Sequence, residues 1–134
     1  FSWYCKYPLD VEAMNRGAEL LLGQHDFSCF EKTGSAASSP LCEVTAAGWS
    51  RWTPAIAPMP ETDYLVFTIT ANRFLRNMVR AIVGTLVEVG RGRHEPEWVL
   101  DVMASRDRCR AGQSVPGHAL FLTRVHYPDD VYRL

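Results

Sequence analysis

The stretch NRFLRNMVRAIVGTLVEVGRG, from Asn72 to Gly92, constrains the fold more than any other. Its apolar residues recur at helical spacing, and a helix this apolar has to be covered by other elements. The spacing predicts one long helix over 72–92. Arg73, Arg76 and Arg80 then fall in a sector of roughly 60°, at about 100° per residue. Leu75, Met78, Val79, Ile82 and Leu86 gather on the opposite side. One face therefore packs on a sheet and another presents guanidinium groups. Gly84 continues the arginine stripe. A mid-helix glycine costs about 1 kcal/mol against alanine, which makes sense where another chain, strand or ligand comes close. The plain alternative is a solvated polar face with a packing glycine.

The rest of the chain supplies the cover. FSWYCKY, LCEVTAAGWSRW, YLVFTITAN and LFLTRVHYP read as strands, the second bulged near Gly48. LDVEAMNRGAELLLGQ reads as an amphipathic helix with Asp10 as N-cap and Gly23 as the stop. Its apolar face is Val11, Met14, Ala18, Leu21 and Leu22. His25 to Phe30 suggests a short helical turn, and TGSAASSP a polar loop. TPAIAPMPETD reads as a hairpin connection. A third helix starts near Pro96 and covers PEWVLDVMAS, and RDRCRAGQSVPGHA follows as a loop. The expected architecture is α+β: an antiparallel or mixed sheet of three to four strands with about three helices packed mainly on one face. The 134 residues suit one domain with a sizeable core.

Composition excludes little. No apolar run approaches the ~20 residues of a membrane span. The start, FSWYCKYPLD, has neither Met nor a charged leader, so it is not read as a signal peptide; its abrupt strand-like opening suggests a fragment. Cys5, Cys29, Cys42 and Cys109 form no CxxC pair. His25 and Cys29 could share a helix face as a metal pair, but free buried thiols in a reducing cytoplasm are the preferred reading. Residues 1–72 carry four basic and eight acidic groups, a charge of −4. Residues 73–134 carry ten arginines, no lysine and seven acidic groups, a charge of +3. Arginine offers a planar fork suited to phosphate and carboxylate.

Taken together the motifs resemble those of the tRNA pseudouridine synthase A family. NRFLRNMVRAIVGTLVEVGRG is similar to the family's third motif. LDVEAMNRGAELLLGQHDFSCF resembles its helix and G-x-HDF-x-x-F signature. SRDRCRAG and HALFLTRVHYP resemble its C-terminal DR-x-x-AG and GLFL-x-x-V-x-YP elements, in the family's order. Ala119 stands where the family usually has glycine, and VPGHA where a sequence like APAHG is usual. The family's catalytic aspartate lies in a GRTDxGVHA motif with no counterpart here. Asp107 matches the DR element instead. The resemblance is thus to the C-terminal half of the enzyme.

That resemblance implies isomerisation of uridine to pseudouridine at positions 38–40 of the tRNA anticodon stem-loop, without cofactor or metal. It implies a homodimer, a cytoplasmic setting and no membrane. Arg80 matches the arginine that pairs with the catalytic aspartate. Leu120 matches the leucine that packs on the uracil ring. Arg73 and Arg76 are candidates for RNA phosphate contacts. Asp26 is expected to cap or anchor a loop, and Phe27 to sit in the core. Without the aspartate, this chain alone is expected to be inactive. The competing expectation is a non-catalytic RNA-binding or dimerisation module of the same fold.

Overall fold

The computed structural model describes residues 8–32, 39–52 and 64–116. Helix α1 spans Val11–Glu19. The Asp10 side chain caps it by accepting from the Ala13 N–H at 3.1 Å. Strand β1, Gly23–Asp26, follows, then a 3₁₀ turn over Ser28–Phe30. The helix therefore ends before Gly23, which takes a positive φ of 100° and opens β1 instead. The helical turn expected over 25–30 is confined to its last three residues, because His25 and Asp26 pair with Cys42 and Leu41.

Strands β2, Leu41–Trp52, and β3, Tyr64–Ala71, complete a three-stranded antiparallel sheet in the order β1-β2-β3. The first and last strands expected from the sequence lie outside the described residues. The bulge in β2 falls between Val44 and Ala46, not near Gly48. There the inward parity switches: Cys42 and Val44 are buried before it, and Ala47 and Trp49 pack inward after it. Asn72 steadies this irregular end, donating its N–H to the Glu43 carbonyl and accepting from the Glu43 N–H.

Helices α2, Met78–Gly90, and α3, Trp98–Ser105, join α1 on the same core. In β3, Phe67, Ile69 and Ala71 pack inward while Val66, Thr68 and Thr70 face out. Among the described residues the sheet has a helix-covered face and an exposed one. Phe27, Phe30, Met14, Leu21, Ile82 and Leu86 fill the space between the layers. Close helix contact comes from small residues: an added Cβ on Gly17 would lie 2.9 Å from Leu86, and one on Gly90 2.7 Å from Met14. Asn15 locks α1 to the sheet. Its Oδ1 accepts from the Trp49 N–H at 2.6 Å and its Nδ2 donates to the Trp49 carbonyl at 3.2 Å. No helix among the described residues is long and apolar enough to cross a membrane.

The long helix expected over 72–92 is the main departure. Only its second part is helical. Asn72 belongs to the sheet through Glu43, and Asn77 sits in the left-handed region at φ 69°, which no α-helix interior tolerates. Arg73 and Arg76 therefore do not share a helical stripe with Arg80.

Candidate active site

Helix α2 carries Arg80 and Gly84, the candidate residues singled out by spacing. Met78, Ala81, Ile82, Leu86 and Val89 are buried on its core side. Val79, expected in the core, is only half-buried. Arg80 projects from the first turns and is half-buried.

An extended strap, residues 112–115, runs back along α2 toward the helix start. Gly112 donates its N–H to Thr85 Oγ1 at 2.9 Å, and Thr85 Oγ1 donates to the Ala81 carbonyl at 2.8 Å. The Gln113 carbonyl lies against Gly84 so closely that an added Cβ would sit 1.8 Å from its oxygen. Ser114 Oγ accepts from Asn77 Nδ2 at 2.7 Å. The Val115 N–H donates to the Arg80 carbonyl, and Arg80 Nε donates to the Val115 carbonyl at 2.9 Å. The mid-helix glycine is thus explained by close approach of another segment of the same chain. Arg108 braces the strap: Nη1 donates to the Gly112 carbonyl and Nη2 to Ser114 Oγ.

The other candidates scatter around this core. Arg73 is half-buried and donates from Nη1 to the carbonyls of Ser39 at 2.7 Å and Leu41 at 3.3 Å. Its side chain ties the β2 entrance through Nη1, and its other nitrogens have no hydrogen bond among the described residues. Arg76 is exposed, and its backbone carbonyl accepts from the Lys32 N–H. Leu120 lies outside the described residues. Asp26 Oδ1 accepts from the Ser28 N–H at 2.9 Å, the expected loop anchor, and Oδ2 lies 3.5 Å from Arg106 Nε. Phe27 is in the core. Asp107 caps a 3₁₀ turn over Arg108–Arg110 by accepting from the Cys109 N–H.

Cys29 and Cys42 are buried free thiols; Cys109 is free but exposed, and Cys5 lies outside the described residues. Burial, helped by the Asp26 charge, pushes the Cys29 thiol up to about 12. Burial also raises Cys42, against a pull the other way from Arg73. His25 Nε2 is bonded to the Leu22 carbonyl at 2.7 Å. Among the described residues no group of three or more metal-ligating side chains forms.

Sequence reasoning gave no role to Asn77, Ser114, Thr85 or Arg108, although Arg108 is the arginine of the DR-x-x-AG match. Gly84 was the available signal, since a glycine inside an apolar helix marks where something docks. What docks there was not readable without the fold.

This geometry sits inside a wider likeness. A family model described as tRNA pseudouridine synthase matches residues 18–128. The tRNA pseudouridine synthase A of Parabacteroides distasonis is 48% identical over 92% of this chain and 46% of its own length. Those of Bacteroides thetaiotaomicron and Porphyromonas gingivalis are 46% and 47% identical over the same 92% of the chain. The chain spans about half the length of these curated relatives. It belongs to the tRNA pseudouridine synthase family.

Proposed function

We propose that this chain is the C-terminal half of a tRNA pseudouridine synthase, and that the complete protein isomerises uridine at positions 38–40 of the anticodon stem-loop. The observation that carries the reading is Arg80. It stands on a rigid helix inside the family-matched region, with one edge of its guanidinium anchored on the Val115 carbonyl. Its terminal nitrogens hold no hydrogen bond among the described residues. They offer a fork for one carboxylate.

In this reading the other half of the protein supplies the catalytic aspartate. An arginine within ~4–6 Å keeps that carboxylate ionised. The target uridine leaves its stack, at a few kcal/mol. The N1–C1′ bond breaks, the uracil turns, and C5 bonds to C1′. The C5 proton goes to solvent and N1 gains one, so atoms balance without cofactor or metal. Leu120 packs against the uracil. Arg76 and the uncommitted nitrogens of Arg73 meet RNA phosphates. The complete protein acts as a cytoplasmic homodimer.

The test is tritium release from tRNA labelled at uridine C5. The complete protein should release it, and this chain alone should not. Release by the chain alone would put the catalytic carboxylate within these residues and overturn the division of labour. A complete protein that binds tRNA without release would instead support the non-catalytic module.

A further inference from the structure

The strap has little apolar surface of its own to hold it. Gly112 has no side chain, Gln113 is exposed and Ser114 is half-buried, so only Val115 reaches the core. Its position is set by hydrogen bonds, and two of them start at one guanidinium. Arg108 Nη1 donates to the Gly112 carbonyl at 3.0 Å and Nη2 to Ser114 Oγ at 2.8 Å. The Ser114 oxygen also accepts from Asn77 Nδ2 at 2.7 Å. Both lone pairs of that hydroxyl are then filled, and Ser114 is held from two sides. The next residue, Val115, carries the carbonyl that accepts from Arg80 Nε. A continuous series of contacts thus runs from Arg108 through Gly112 and Ser114 to Val115 and Arg80.

We propose that Arg108 is a positioning residue for the isomerisation: through the strap it holds the Val115 carbonyl where that carbonyl orients the Arg80 guanidinium. The proposal rests on the reading of Arg80 given above. Arg108 reaches two strap acceptors at once because its fork spans them. A lysine ammonium is a point charge on a flexible stem and satisfies one of them. Arg108 is half-buried, so its bonds are shielded from competing water.

The complete protein carries the test, with Arg108→Gln, Arg108→Lys, Ser114→Ala and Arg80→Ala compared. Arg108→Gln should lower kcat by about 10–100-fold, with KM for tRNA changed by no more than about twofold. Arg108→Lys should recover part of the loss. Ser114→Ala should cost less in the Arg108→Gln background than alone, because the two act through one bond. Amide exchange gives a readout independent of turnover. The Val115 amide, which donates to the Arg80 carbonyl, should exchange faster in Arg108→Gln, while Ile82 and Leu86 keep their protection. Unchanged kcat with unchanged Val115 exchange overturns the proposal, as does a rise in KM alone. Should Arg108→Gln not fold, Arg108→Lys carries the same comparison. Wild-type turnover in Arg80→Ala overturns the reading of Arg80 and this proposal with it. An inactive Arg80→Ala beside a fully active Arg108→Gln overturns the positioning role alone.

Discussion

Arg80 and Val115 exchange two hydrogen bonds. The Val115 N–H donates to the Arg80 carbonyl at 3.2 Å, and Arg80 Nε donates back to the Val115 carbonyl at 2.9 Å. A helical residue and an extended one are thereby paired through main chain and side chain together. The guanidinium loses most of its rotamer freedom before any ligand arrives, which lowers the entropy lost when it engages one.

Arg80→Ala in the complete protein should cut turnover severely and change tRNA affinity little. On the proposed pairing, its removal leaves the catalytic carboxylate without a counter-charge, and a carboxylate that takes up a proton in response is a poor nucleophile. Arg80→Lys should restore part of the rate. Arg76→Ala should do the reverse: weaker binding, a salt dependence shallower by about one phosphate contact, and near-normal turnover at saturating tRNA. Turnover and salt-dependent affinity for the three variants decide it. Loss of binding alone in Arg80→Ala would make Arg80 an RNA contact.

Gly84→Ala should destabilise the protein despite alanine's better helix propensity. The propensity gain is about 1 kcal/mol. The new methyl would meet the Gln113 carbonyl at 1.8 Å, a backbone atom that cannot rotate away. Strap displacement should outweigh the gain by about 1–3 kcal/mol. A lower urea midpoint with an unchanged m-value is the expected result.

Thr85→Val should leave the shape of α2 intact and lose the acceptor for Gly112. That N–H is then buried without a partner, which costs about 1–3 kcal/mol. Thr85→Ser keeps the hydroxyl and should behave nearly as wild type. Thermal midpoints of the two variants make the comparison.

Cys29 should resist alkylation at pH 8 in the folded protein, while exposed Cys109 reacts. With its folded pKa raised from 9.0 to about 12, the folded state keeps this proton where the unfolded chain releases it. Stability therefore falls as pH rises from 9 toward 12, and is unaffected by this group below 9. Cys29→Ala should flatten that decline. A decline of the same slope in the variant would mean that other groups cause it.

Much of the fold was legible because local and tertiary preferences agree. Asp10 caps α1 as its side chain suggests, and β2 and β3 have the expected strand content. Where they disagree, tertiary contacts won. Nothing in NRFLRNM breaks a helix by type, yet Asn72 finds both hydrogen bonds on Glu43 and Asn77 accepts a left-handed turn. The β2 bulge was visible in principle, since the inward pattern shifts from Cys42 and Val44 to Ala47 and Trp49. Gly48 is the more conspicuous signal by residue type, yet it pairs regularly with Thr68. In the candidate site, Arg80 and Gly84 could be singled out from spacing. Ser114 could not, and Arg108 stood out only within the DR-x-x-AG match, because their roles come from a strap that returns to α2 27 to 37 residues later, a non-local contact that periodicity does not encode.

The polypeptide leaves α2 after Gly90 and is fastened to it again at Gly112. Everything between, α3 included, is a closed excursion shut by a clasp. The entropy of closing such an excursion grows only with the logarithm of its length. The clasp, and not the size of what it encloses, then fixes where the strap lies. The outward face of α3 would accept a different surface with little effect on Arg80 so long as buried Val99 and Val102 and the strap contacts of Arg108 are kept, whereas a single added carbon at the clasp would not be absorbed.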